Sequence, residues 1–138
     1  MNLRNKLIAC SSLVLVGIDL LIKHSQKIAY TLNTDYFFGF FKISDLAILL
    51  ISILLIYLAF NREIKKDFLI ICPVFLGGAS NLIDRFIYGG VIDYFNFEFW
   101  GFSLAFNLAD IMIVSGVFLY ANSFFRDIKR RSHAQRGV

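Results

Sequence analysis

Four long apolar runs divide the chain, from about Leu7 to Ile22, Ile43 to Phe60, Phe68 to Tyr88 and Phe102 to Phe125. Each comes close to the ~20 residues a helix needs to cross ~30 Å of hydrocarbon. The first is short and runs on past Lys23, whose long side chain can snorkel. Without water in the bilayer core, a helix satisfies every backbone group internally. The pattern therefore predicts an all-α membrane protein with four transmembrane helices. Between the third and fourth runs, Phe95, Phe97 and Phe99 alternate with Asn96, Glu98 and Trp100. That period of two predicts a small strand-like or interfacial element.

Composition agrees with this pattern. Of the 138 residues, 58% are hydrophobic and 17% charged, against about a quarter charged in an ordinary soluble domain. A single proline and the absence of low-complexity tracts leave no linker, so residues 1–138 read as one domain and any chemistry lies in or beside the bilayer. Cys10 and Cys72 both fall within apolar runs and read as structural thiols.

The basic residues predict an orientation. Ten of the 14 precede the first run, lie between the second and third, or follow the fourth, which places both termini in the cytoplasm. That asymmetry, together with anionic lipid, accounts for the net charge of +4 and argues against nucleic acid as a partner.

The polar residues inside the runs are not scattered. Asp19 and Lys23 lie four apart at the outer end of the first, and Asn81, Asp84 and Arg85 near the outer end of the third. Asn107 and Asp110 lie three apart in the fourth, Asp93 in the connection before it, and Asp45 near the start of the second, without an assigned role. Counted from Phe102 at ~1.5 Å per residue, Asp110 lies roughly 12 Å down. All of these groups share the outer half of the membrane. Ion pairs or interhelical glue would explain most of them singly, with Lys23 and Arg85 as the charge partners of Asp19 and Asp84. Asp110 has no basic residue within a turn, so its partner must come from elsewhere.

Two carboxylates brought together in a low-dielectric site share a proton. Such a pair can activate water and protonate a leaving amine, as in aspartic proteases. Asp93 and Asp110 are the natural candidates, and Gly89 and Gly90 permit a tight turn before Asp93. Metal chemistry lacks ligands, because His24 and His133 fall on opposite sides of the membrane. No Ser or Cys has a nearby His base at a recognisable spacing, and there is no phosphate loop, so no cofactor is implied. An ion-conducting protein would need polar groups through the full span, and the cytoplasmic halves are apolar.

The run Gly77 to Arg85 (G-G-A-S-N-L-I-D-R), then Val91-Ile92-Asp93-Tyr94-Phe95, then Phe106-Asn107-Leu108-Ala109-Asp110, resembles signal peptidase II, the bacterial lipoprotein signal peptidase. Asp19 with Lys23, and the segment Asn33 to Gly39, resemble further family motifs. The resemblance implies that Asp93 and Asp110 are the catalytic pair, supported by Asn33, Asn81, Arg85, Asn107, Asp19, Lys23 and Asp84. It implies prolipoprotein substrates already lipidated on Cys, cut just before that Cys at the outer face of the bacterial cytoplasmic membrane. The chain departs from the pattern at Asp35, Tyr36, Phe37 and Ser80 and in a short 24–32 connection. Those changes bear on substrate grip and leave the pair intact; an inactive or altered-substrate relative is the competing expectation.

Overall fold

The computed structural model describes residues 3–25, 29–34 and 68–136. They run in the order α1 (Leu3–His24), β1 (Thr31–Asn33), α2 (Phe68–Tyr88), β2 (Val91–Asp93), β3 (Phe95–Phe99), β4 (Phe102–Phe106) and α3 (Leu108–Arg136). The expected helix over 43–60, with Asp35 and Asp45, lies outside the described residues. All three described helices are long and apolar enough to cross a membrane, over Leu3–His24, Leu69–Tyr88 and Leu108–Arg126. Their outward faces carry Leu13, Leu21, Phe86 and Phe118, all largely exposed, as lipid-facing positions are.

α2 ends at Tyr88, where the apolar run ends. It stops because Gly89 adopts a φ of +73° and returns its N–H to the Arg85 carbonyl at 3.0 Å, a glycine-terminated helix end. Gly90 then passes so close to β1 that a Cβ there would stand 2.9 Å from the Asn33 carbonyl oxygen. This close approach lets β1 pair antiparallel with β2, Thr31 opposite Asp93 and Asn33 opposite Val91.

α1 starts at Leu3 rather than Leu7. The larger correction concerns the fourth run, expected to be helical from Phe102 to Phe125. Phe102–Phe106 is instead a strand paired with Phe95–Phe99, and the helix begins at Leu108 and continues to Arg136. Phe-Ser-Leu-Ala-Phe alternates large with small side chains, which suits a pleated ribbon. The helix start is encoded in Asn107-Leu108-Ala109-Asp110. Asn107 Oδ1 accepts from the Asp110 N–H at 3.0 Å, and Asp110 Oδ2 accepts from the Asn107 N–H at 3.1 Å, a reciprocal capping box. The hairpin turns at Trp100 and Gly101, both with positive φ, as a type I′ turn requires.

α2 and α3 pack backbone to backbone. A Cβ on Gly77 would meet the Ala109 carbonyl oxygen at 2.5 Å, and one on Gly116 would meet Val74 Cγ2 at 2.7 Å. Glycine is required at both positions because the other helix fills the space. Gly78, by contrast, has nothing within 4 Å and plays no part in this seam. Around it Ile70, Val74, Ala109 and Met112 are buried. The seam brings the Asn81 turn of α2 level with the first turn of α3.

Candidate active site

Each carboxylate in the cluster is delivered by a different element. Asp19 and Lys23 face inward one turn apart on α1, and Ser80, Asn81 and Asp84 rise on one side of α2. Asp93 ends β2, and Asp110 stands in the first turn of α3. Asp110 is therefore at a helix start, not the 12 Å inside one that counting from Phe102 implied.

Asp93 and Asp110 are joined by amides. Asp93 Oδ2 accepts from Asn33 Nδ2 at 2.9 Å, and its Oδ1 from Asn107 Nδ2 at 2.8 Å. Asp110 Oδ1 accepts from Asn81 Nδ2 at 2.7 Å, while its Oδ2 takes the Asn107 backbone N–H. Asn107 Nδ2 also reaches Asn81 Oδ1 at 3.1 Å and the Ile92 carbonyl at 3.3 Å. Asn107 thus touches both aspartates, and Asn81 is shared between Asp110 and Asn107. Asp93 is 1% exposed. Burial first, and then nearby Asp110, raise its carboxyl to about 6 against the lowering effects of the Asn33 and Asn107 hydrogen bonds and of Lys23. A carboxyl held there keeps a proton available near neutrality.

Beneath this pair lies a buried charged layer. Lys23 Nζ stands 2.8 Å from Asp19 Oδ2 and 2.9 Å from Asp84 Oδ2, with all three side chains sealed from solvent. It donates further to Ser80 Oγ at 3.2 Å and Asn81 Oδ1 at 2.9 Å. Lys23 is therefore a charge partner of Asp84 as well as of Asp19, reached from another helix. Successive helical side chains diverge by about 100°, so Asp84 turns into the interior while Arg85 sits half-buried beside it. Asp84 Oδ2 also accepts the Ile92 N–H at 3.3 Å, tying this layer to β2.

The structure thus gathers Asp19, Lys23, Asn33, Asn81, Asp84, Asp93, Asn107 and Asp110 into one network. It adds two residues that sequence reasoning did not assign to the site. Ser80 Oγ donates to Asp19 Oδ2 at 2.5 Å, and Tyr94 Oη donates to Asp19 Oδ1 at 2.8 Å. Ser80 lies four residues before Asp84, on the same helical face, and that spacing was a signal for it. Among the described residues, no group of three His, Cys, Asp or Glu could hold a metal ion. The arrangement offers two amide-oriented carboxylates, linked through Asn81 to the buried Lys23 ammonium.

A profile of signal peptidase (SPase) II matches residues 4–126. The lipoprotein signal peptidase of Campylobacter jejuni subsp. doylei is 36% identical over 126 residues, spanning 86% of this chain and 80% of its own. That of Helicobacter pylori strain 26695 is 38% identical over 121 residues, spanning 85% of this chain and 74% of its own. A solved bacterial membrane enzyme shares the fold, with a TM-score of 0.69 over 92% of this chain and 90% of its own at 23% identity.

Proposed function

This chain belongs to the signal peptidase II family, and from that premise we propose that it is an aspartic endopeptidase. It frees the signal peptide of prolipoproteins by cutting just before a diacylglyceryl-modified Cys. Asp93 and Asp110 are its catalytic pair. One carboxylate takes a proton from water as the water oxygen bonds to the scissile carbonyl carbon. The protonated partner hydrogen-bonds the carbonyl oxygen. The C–N bond then breaks, and the amine of the Cys leaves with a proton from the pair. Asn33, Asn81 and Asn107 orient the carboxylates. Asp19, Lys23 and Asp84 form the charged floor, and Arg85 supports the substrate side.

The observation that carries this reading is the bridging of Asp93 and Asp110 by Asn107, which touches both. A fourth helix over 43–60, both termini in the cytoplasm, and a site at the outer face of the bacterial inner membrane complete the proposal. The distribution of basic residues supports that orientation.

The test is cleavage of a diacylglyceryl-modified prolipoprotein by wild type, Asp93→Asn and Asp110→Asn. Turnover by wild type, abolished in both variants, is expected. Undiminished cleavage by either variant would refute the pairing, and a folded but inactive wild type would favour an inactive relative.

A further inference from the structure

The four N–H groups that open a helix have no partner within it. In α3 each is accounted for. The Asp110 N–H goes to Asn107 Oδ1 and the Asn107 N–H to Asp110 Oδ2 at 3.1 Å. The Ala109 N–H goes to Asp19 Oδ1 at 3.3 Å, and the Leu108 N–H to the Tyr94 hydroxyl at 3.0 Å. Tyr94 is therefore part of the cap of the turn that carries Asp110, and it is also the residue directly after Asp93. Its hydroxyl accepts from Leu108 while donating to Asp19 Oδ1, and that same oxygen receives the Ala109 N–H.

Resting on the peptidase reading above, we propose that Tyr94 is a positioning residue that sets the separation of the two aspartates. It is joined to Asp93 through the chain and to the Asp110 turn through its hydroxyl. Burial, and next the hydrogen bond to Asp19, push the phenol above its ordinary range, so it stays protonated and donating at working pH. The ring packs against Phe95 with centroids 4.8 Å apart, which limits its travel. The Tyr94 hydroxyl hydrogen-bonds with Asp19 and Leu108 and with neither reacting carboxylate. It acts by holding the Leu108 amide, and with it the direction in which Asp110 projects.

Tyr94→Phe keeps the ring and deletes only the hydroxyl. The full-length variant and wild type would be compared in liposomes by hydrogen exchange with mass spectrometry, and by steady-state cleavage of a lipidated prolipoprotein. Faster exchange confined to residues 107–112 is expected. With it, kcat should fall about 10- to 100-fold, the scale on which misplaced groups lose rate, while KM stays within about two-fold. Three results would overturn the proposal: an unchanged kcat, a loss carried by KM, or exchange that rises equally in every helix. If wild type itself cleaves nothing, the peptidase reading fails, and the exchange arm still decides, since unchanged protection at 107–112 would refute the hold by Tyr94.

Discussion

Replacing Lys23 with Met tests the charged floor directly. The ammonium lies between Asp19 and Asp84 at 2.8 and 2.9 Å, with no solvent access to any of the three side chains. Methionine has nearly the same shape and removes only the charge and its hydrogen bonds. Two carboxylates would then be left sealed without their cation, and Asp84 Oδ1 has no hydrogen-bond partner among the described residues even in the wild type. Breaking a buried pair by removing one member costs about 3–5 kcal/mol. For a chain of this length that lowers the unfolding midpoint by roughly 10–20 °C. Thermal unfolding in a fixed detergent, followed by circular dichroism, measures it. Activity should fall as well, because Lys23 also holds Asn81 Oδ1, whose amide nitrogen holds Asp110. Adding Asp84→Asn removes one of the stranded charges and should recover about half of the loss. A Lys23→Met midpoint within about 2 °C of wild type would refute the view that this cation neutralises the floor.

Asn107→Ala removes a helix cap, worth about 1 kcal/mol, and the donor on Asp93. Cleavage rates should fall by about 100-fold with a modest loss in melting temperature, and a variant with full kcat would contradict the bridging role. Asp93, held at about 6, predicts a basic limb on which kcat declines as pH rises through that value and the pair loses its shared proton. Asn33→Ala deletes a hydrogen bond that favours the ionised form, so the limb should move to higher pH; movement to lower pH would contradict the assignment. Because this group is raised above its ordinary 3.8, its contribution to stability is full below that value and lost as pH climbs through about 6. Trp100 is the chain's single tryptophan and stands 89% exposed at the hairpin tip. In liposomes its emission should be blue-shifted and quenched by lipids brominated near the headgroup, while full quenching by aqueous iodide would place the hairpin in water.

Hydropathy ended the third run at Tyr88, where α2 ends, because Gly89 and Gly90 break both the apolar run and the helix. It overran at Phe102 for a physical reason: a short apolar strand and a buried helix segment look alike in a window average. The start signal was present in Asn107 and Asp110, but as a capping box it is visible only when the side chains are considered as backbone partners. Asp19, Lys23, Asp84 and Asp110 were legible because ionisable groups in apolar runs are costly, whereas Asn33 entered only through the family resemblance. The pairing of the charged groups was less legible. Lys23 reaches Asp84 from another helix, and no spacing along one chain reveals that contact. The contacts of Ser80 and Tyr94 with Asp19 were not legible because a hydroxyl costs little to bury until its partners are known.

The glycine seam between α2 and α3 also constrains how a substrate arrives. Two helices whose backbones touch at Gly77 and Gly116 leave no room for a third to slide between them. Parting them would sacrifice the contacts that align Asn81 with Asp110. On the proposed reading, a lipid-anchored segment therefore diffuses in from a flank other than the α2–α3 seam. Two small residues remote from the proposed chemistry would thus bear on the direction of lateral access.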